Sequence, residues 1–415
     1  VSVYRNQAQK GNRLVISLRG KGQNKFGIGA KVHLALSDGT TLQRQLIPVR
    51  GYLASNEPLV HFGLGEREPR SLKIEWADGH LQNVSNLKAN HQYTIIQDRQ
   101  SVPVKPEKGN ETLFVQSDIL SGAKHVENEF NDFARQPLLP NQMSRLGPGQ
   151  AWGDVDGDGD DDLWLGAAVG SPGKIWMNDG AGSFKLEPSP VLQDDAGFED
   201  MGGLWFDADG DGAMDLYVVS GGNEFRPGDP ELKDRLYLNK SGVLTRAPEG
   251  ALPGLKNSGG VVVGGDYDRD GDIDLFVGGR QVPGAYPEGA QSSLLTNEDG
   301  RFVEKDLKIT GLITSALWSD VNEDGWVDLL LTEEWGTLRV FQNNEGKLTE
   351  VTEGAGIANL TGWWNSIAGG DLDGDGDIEI VVAGLFGAIY AWHHDGSVVD
   401  GFPYYAIGRA PEEID

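Results

Sequence analysis

Carboxylates at fixed spacing are the feature of this chain most able to do chemistry. Oxygen-bearing side chains stand at positions 1, 3, 5 and 9 of a loop that occurs five times. The first copy supplies Asp154, Asp156, Asp158 and Asp162, and the second Asp207, Asp209, Asp211 and Asp215. The third supplies Asp266, Asp268, Asp270 and Asp274, and the fourth Asp320, Asn322, Asp324 and Asp328. The fifth supplies Asp371, Asp373, Asp375 and Glu379. Alternate oxygens on a tight loop converge on one point, which suits a hard cation that takes six to eight oxygen ligands, calcium above all. Position 7 is expected to add a backbone carbonyl, from Asp160, Ala213, Asp272, Trp326 or Asp377. Position 6 is Gly159, Gly212, Gly271, Gly325 or Gly376, the residue that tolerates positive φ in a sharp turn. Asn322 lowers the charge of the fourth loop. About five structural calcium ions are expected.

Two rival readings can be weighed on the same residues. An EF-hand needs a bidentate Glu at position 12 between helices. Here position 12 is Leu165, Val218, Val277, Leu331 or Val382, inside apolar runs such as Leu275-Phe276-Val277 and Ile380-Val381-Val382. Those runs read as buried strands, so the EF-hand fails. A solvated acidic turn without metal does not account for five copies in register.

The loops must therefore be positioned by strands. Their first residues, Asp154, Asp207, Asp266, Asp320 and Asp371, lie 53, 59, 54 and 51 residues apart. Each unit has a strand before the loop (Ala151-Trp152, Leu204-Trp205-Phe206) and an apolar strand after it. A third strand follows (Lys174-Ile175-Trp176-Met177, Arg235-Leu236-Tyr237-Leu238), then a turn such as Asn297-Glu298-Asp299-Gly300. A short fourth strand carries Phe184, Leu244, Phe302, Leu348 or Val398. Four antiparallel strands per repeat make a propeller blade. On these loops, residues 150–415 resemble the FG-GAP/VCBS repeat family, to which the integrin α-subunit propellers belong. The resemblance implies a calcium-bearing β-propeller. Five blades are visible, and since related propellers usually have seven, others are expected outside this chain.

Composition agrees with an all-β protein. The 415 residues include 59 Gly, and no long amphipathic helical stretch occurs. With 35 Lys and Arg against 63 Asp and Glu the net charge is −28, which argues against nucleic acid or an anionic membrane as partner. The absence of Cys excludes disulfides and thiolate chemistry. No apolar run is long enough for a membrane helix. The chain opens Val1-Ser2-Val3-Tyr4-Arg5-Asn6, which reads as a processed product or part of something longer, with 1–11 the end of a preceding segment.

Residues 12–97 have a different texture. Apolar residues alternate in Arg13-Leu14-Val15-Ile16-Ser17-Leu18 and in Ser71-Leu72-Lys73-Ile74-Glu75-Trp76, predicting a small β-sandwich. With Gly27-Ile28-Gly29-Ala30-Lys31-Val32, Gly51-Tyr52-Leu53-Ala54-Ser55-Asn56 and His61-Phe62-Gly63-Leu64-Gly65, the segment resembles the ASPIC/UnbV domain. Trp76-Ala77-Asp78-Gly79 departs from that domain's Trp-Pro-x-Gly. Gly20-Lys21-Gly22 lacks the Gly-Lys-Ser/Thr of a phosphate loop and reads as a turn. Residues 98–149, with Pro103, Pro106, Pro137, Pro140 and Pro148, read as a linker that becomes the propeller's closing strand. Within it, His125-Val126-Glu127-Asn128-Glu129-Phe130 resembles the lead-in to bacterial propellers of this kind.

No catalytic motif emerges: the chain lacks His-Glu-x-x-His, Gly-x-Ser-x-Gly and a Walker loop. His393-His394 reads as a turn. If the metal loops occupy one face, the other face gathers Asn223, Glu224, Arg280, Tyr286, Glu333, Glu334, Trp335, Trp363 and Trp364, with the bland alternative that the Trp residues pack between blades. The expectation is a secreted or cell-surface binding or adhesion scaffold, bacterial by its domain order, whose partner is an extracellular protein or glycan, or other segments of a longer chain or assembly. The alternatives are a calcium-dependent polysaccharide lyase, using Arg280 with Glu333 or Tyr286, and a structural envelope or filament component. Sequons at Asn83, Asn110, Asn239 and Asn359 matter only if the host glycosylates.

Overall fold

The computed structural model describes residues 11–21, 24–46, 58–77, 79–98, 102–103, 117–120, 122–305, 307–354, 360–373, 377–385, 387–393 and 396–405. The Gly51–Asn56 motif, Gly22, Asp78, Pro106, Asp375, Gly376, His394, and the sequons at Asn110 and Asn359 lie outside them. The chain divides into two compact units, Val1–Gln116 and Ser117–Asp415.

The first unit is a two-sheet β structure. Asn12–Arg19 lies between Leu59–Gly65, antiparallel, and His91–Ile96, parallel. The second sheet runs Thr41–Gln45, Lys31–Leu36, Pro69–Glu75, His80–Ser85, Val102–Pro103. Period-two alternation sends Leu14, Ile16, Leu18, Val32, Leu34, Leu36, Phe62, Leu72 and Ile74 into one shared core. Gly27 is required there: at φ +64°, a Cβ would stand 2.9 Å from Leu18 Cβ. Gly20 is in the turn that follows the first strand, its N–H donating to Lys25 O at 3.2 Å.

Among the described residues, the second unit is a β-propeller array of five blades. Blade one comprises Gln150–Gly153, Asp162–Leu165, Lys174–Asn178 and Phe184–Glu187. Blade two comprises Asp200–Phe206, Asp215–Ser220, Arg235–Lys240 and Val243–Arg246. Blade three comprises Gly259–Gly265, Asp274–Gly279, Ser293–Glu298 and Arg301–Lys305. Blade four comprises Ile313–Ser319, Asp328–Thr337, Arg339–Asn344 and Lys347–Glu350, and blade five Thr361–Gly370, Glu379–Gly384, Ala388–Trp392 and Tyr404–Tyr405. The innermost strands lie side by side in chain order from blade one to blade five. Among the described residues, no strand of blade five makes an extensive contact with blade one.

Two features depart from a simple repeat. The long strand Asp328–Thr337 runs past its own blade and pairs with Thr361–Gly370 (Glu334↔Trp363, Thr337↔Thr361), fusing blades four and five into one sheet. In addition, the described part of 117–149 forms no strand and the four strands of blade one come from 150–187, while 104–116 of the segment expected to supply a closing strand lies outside the described residues. Pro137, Pro140 and Pro148 cannot donate to a ladder. The segment instead winds around the buried carboxylate of Asp132, which accepts from Ser144 N at 3.0 Å, Ser144 Oγ at 2.6 Å and Asn223 Nδ2 at 2.7 Å. Val102–Pro103 pairs with the first unit's sheet.

Blades pack through large side chains against glycine. Trp164, fully buried in blade one, packs against Gly203 of blade two, where a Cβ would stand 2.4 Å from the ring. Gly203→Ala is expected to cost about 1–3 kcal/mol by overpacking, read as a lower urea midpoint with unchanged slope.

Candidate metal loops and the opposite face

Each acidic loop is the hairpin between the first two strands of its blade, closed by the pairs Gly153↔Asp162, Phe206↔Asp215, Gly265↔Asp274, Ser319↔Asp328 and Gly370↔Glu379. The position-9 carboxylates Asp162, Asp215, Asp274, Asp328 and Glu379 are all fully buried. One oxygen of each accepts the position-2 N–H, from Val155 (3.0 Å), Ala208 (2.9 Å), Tyr267 (3.3 Å), Val321 (3.3 Å) or Leu372 (2.7 Å). In blades one to four the other oxygen accepts the N–H of an Asn on or ending the third strand: Asn178 (2.7 Å), Asn239 (2.7 Å), Asn297 (2.8 Å) or Asn343 (2.7 Å).

Position 1 organises the turn. Asp154 accepts from Gly157 N, Asp158 N and Gly159 N at 2.9–3.0 Å, and Asp207 and Asp320 accept likewise from Asp211, Gly212, Asp324 and Gly325. Position-6 glycines adopt φ between +87° and +102° in the first four loops. Position 4 is left-handed as well, and there Arg269 and Glu323 replace glycine at φ +61° and +58°. Arg269 lies over the Trp326 ring at 4.3 Å, joining loops three and four.

Positions 1, 3 and 9 converge. Ligand atoms of Asp154, Asp156 and Asp162 lie within 4.8 Å of one another, as do those of Asp207, Asp209 and Asp215 and of Asp266, Asp268 and Asp274. In loop five the trio is Asp373, Glu379 and His393, whose Nδ1 stands 3.2 Å from Glu379 Oε1 and 3.7 Å from Asp373 Oδ2. His393 thus faces the acidic loop, where the sequence read as a plain turn. The position-5 side chains Asp158, Asp211, Asp270 and Asp324 stand outside these trios and accept the position-7 N–H of Asp160, Ala213, Asp272 and Trp326 at 2.9–3.0 Å. In loop four, Asn322 Oδ1 accepts from Asp324 N at 3.0 Å.

The donor set fits a hard cation. Oδ1 of Asp209, Asp266 and Asp268 is buried without a hydrogen-bond partner, a costly state for a carboxylate oxygen unless an ion completes it. Burial pushes Asp215 and Asp328 up to about 6 and Asp274 up to about 7, and it raises Asp162; neighbouring loop carboxylates add to the shift and backbone N–H donors oppose it.

The Asn residues near the end of the third strand are structural parts of the site that the repeat pattern of acids did not point to. Asn239 Nδ2 donates to Val155 O, Asn297 Nδ2 to Ala208 O, and Asn343 Nδ2 to Tyr267 O, at 2.7–3.0 Å. Each acceptor is position 2 of the preceding blade's loop, so each Asn ties its own position-9 carboxylate to the neighbouring loop. The signal was visible as Asn three residues before Gly242, Gly300 or Gly346, whose N–H each Asn Oδ1 accepts at 2.9 Å. Asn239 is 1% exposed, which removes it as a glycan acceptor in the folded chain.

On the opposite face the candidate residues separate. Arg280 is buried and pairs with Glu334, not Glu333; Tyr286 OH also donates to Glu334, and Trp335 Nε1 donates to Tyr286 OH. Trp335 is 60% exposed at φ +63°, and its ring meets Trp363 at 4.6 Å. Glu333 instead pairs with Arg339 at 3.0 Å. Trp364 is core, 5% exposed and edge-on to Tyr390 at 5.3 Å, because one residue's step along the strand turns it to the other side of the sheet from Trp363. Glu224 lies apart, beside Glu199. Asn223 is buried and structural, holding Asp132 and accepting from Gly284 N at 2.7 Å.

Comparison with known proteins agrees with this division. The family model described as ASPIC and UnbV matches residues 20–102, and that of the FG-GAP-like repeat matches 154–218, 207–277 and 320–382. The chain carries an ASPIC and UnbV domain followed by FG-GAP-like repeats. Each matched repeat runs from position 1 of one loop to position 12 of the next. The chain is 34% identical to human cartilage acidic protein 1 over 102 residues, 24% of this chain and 15% of that protein. It is 38% identical to the Xenopus tropicalis protein of the same name over 82 residues, 20% of this chain and 12% of that one. Among solved structures, BBS1N in complex with ARL6DN aligns in a mercury-soaked crystal with a TM-score of 0.38 at 12% identity, covering 64% of this chain and 70% of that one. A lead-soaked crystal of the same complex aligns with a TM-score of 0.30 at 15% identity, covering 47% and 55%.

Two outcomes follow for the FG-GAP unit. Asn239→Ala leaves Val155 O and Met214 O without their donor and is expected to cost about 1–3 kcal/mol in urea denaturation. The second concerns pH with divalent cations chelated. Asp215, Asp274 and Asp328 titrate higher folded than in an unfolded chain, so the folded state holds more protons between about pH 4 and 7. Stability is therefore expected to be greatest below that window and to fall as pH rises through it. Calcium should restore the loss at neutral pH, and identical melting curves in EDTA and calcium at pH 7.5 (a value within roughly a unit of neutrality) would overturn the metal reading.

Proposed function

We propose that this protein is an extracellular calcium-held propeller that binds a glycan or a protein loop on the face away from its metal loops. The observation that carries the binding reading is the Trp335 platform. An exposed indole held in left-handed backbone, against Trp363 and anchored through Tyr286 to the buried Arg280–Glu334 pair, is costly to build for stability alone. Rigid aromatics beside fixed polar groups are what sugar rings and peptide loops dock on.

Calcium belongs to the proposal because the trios are all-oxygen in the first three loops and the FG-GAP repeat typically binds it. Extracellular calcium sites bind at about 10⁻⁴ to 10⁻³ M, so they fill outside a cell and stay empty in cytosol. FG-GAP repeats are typical of extracellular proteins, and no described helix is long and apolar enough to cross a membrane. The lyase reading gains no support from the face itself. Arg280, which would meet a uronate, is taken by Glu334, and burial together with the hydrogen bond to Glu334 pushes Tyr286 up to about 12, far from a base at neutral pH.

A glycan array and a panel of extracellular matrix proteins, probed in calcium, test the reading. The wild-type chain is expected to bind, and Trp335→Ala to weaken the bound signal by about tenfold while leaving the melting temperature unchanged. Equal binding by both chains would move the ligand surface elsewhere.

A further inference from the structure

The fifth loop differs from the others at the corner where its acids meet. In blades two to four an Asn stands three residues before the turn glycine and gives its backbone N–H to the buried position-9 carboxylate. In blade five the residue three before Gly396 is His393. Its N–H donates to Ser397 O at 2.9 Å, and its carbonyl accepts from Gly396 N at 2.9 Å. The backbone that serves position 9 in the earlier blades is here turned into the hairpin, and the imidazole stands at the acids instead.

Position 9 differs as well. It is Glu379, where the other four loops carry Asp. Glu379 is fully buried; its Oε2 accepts from Leu372 N at 2.7 Å and its Oε1 stands 3.2 Å from His393 Nδ1. Asp373 Oδ2, from position 3, lies 3.7 Å from the same nitrogen. The ligand atoms of Asp373, Glu379 and His393 all fall within 4.8 Å of one another, the convergence that the all-carboxylate trios show in loops one to three. Asp373 is exposed and His393 half-buried, so an ion from solvent can reach the point where they meet. A hydrogen bond between His393 and Glu379 accounts for one of the two contacts at Nδ1. That nitrogen carries at most one proton, whereas a metal ion at the centre of the trio engages both carboxylates and the ring together.

We propose that loop five is a zinc site, with His393 Nδ1, Glu379 and Asp373 as its ligands, while the other four loops keep oxygen-only sets suited to calcium. The inference rests on the reading of the repeat loops as metal sites and changes the metal in one of them. Calcium takes oxygen ligands, whereas an imidazole nitrogen beside carboxylates suits zinc and its first-row neighbours. Three protein ligands of this kind, with water in a fourth position, complete a tetrahedral zinc sphere. The trio also joins three parts of the blade: the loop, the start of the second strand, and the residue just past the third strand Ala388–Trp392. A metal held there makes between third strand and corner the link that Asn makes by hydrogen bonding in blades two to four.

Crystals of the full chain grown in calcium and soaked in zinc, with anomalous maps on both sides of the zinc absorption edge, test this. The maps are expected to place zinc at His393 Nδ1 and to show none at loops one to four. In solution, zinc added to calcium-saturated protein is expected to raise the melting temperature further. His393→Asn, which installs the residue that blades two to four carry, is expected to lose that zinc-dependent rise and to keep the calcium-dependent one; His394→Asn is expected to keep both. A map without zinc at loop five, or an equal zinc-dependent rise in His393→Asn and wild type, overturns the proposal. The wild-type map decides if the variant does not fold. Failure of the loop reading as a whole shows separately, as no calcium at loops one to four.

Discussion

Everything in the propeller unit hangs on a carboxylate buried at the corner of each blade. Position 9 begins the second strand, has no exposure, and accepts one N–H from the loop and, in the first four blades, one from the third strand. A carboxylate so placed would destabilise the fold by desolvation unless those donors, and a cation in front of it, offset the cost. The sequence therefore has to provide three things together: a glycine-containing loop that brings acids to the corner, a strand pair that fixes the corner, and an Asn that arrives from the third strand. The same Asn reaches on to the preceding loop, so the chemistry of the corner and the packing of the blades are one arrangement.

The two faces of the unit consequently have different characters. The loop face is repetitive, because each blade must solve the same electrostatic problem. The other face is free to differ from blade to blade. There the paired strands that fuse blades four and five present Trp335 and Trp363, while the connection after blade two's second strand meets the 125–146 segment at Asp132 and Arg135. Strap, platform and buried acids are all built from the connections that the repeat leaves unspecified.

That contrast also explains how much could be read from the residues alone. Loop positions, the apolar position 12 and the four-strand unit were legible because spacing and alternation are local and recur. The opposite face depends on single steps of register and on contacts between distant segments. Glu333 and Glu334 are adjacent, yet one pairs with Arg339 and the other with Arg280; Trp363 and Trp364 are adjacent, yet one lines the surface and the other the core. Nothing local announces that Asp132, inside the segment read as a linker, will be a buried hub.

The Asn clasps have a direction. Asn239 of blade two holds the loop of blade one, Asn297 of blade three that of blade two, and Asn343 of blade four that of blade three, never the reverse. An array joined in this way has mechanical polarity, like overlapping roof tiles. Tension applied from the far end must release each tile before the one beneath it can lift, whereas a pull from blade one strips a loop whose own Asn secures no earlier neighbour. Among the described residues no clasp of this kind runs the other way, so the succession of blades carries a built-in order of release.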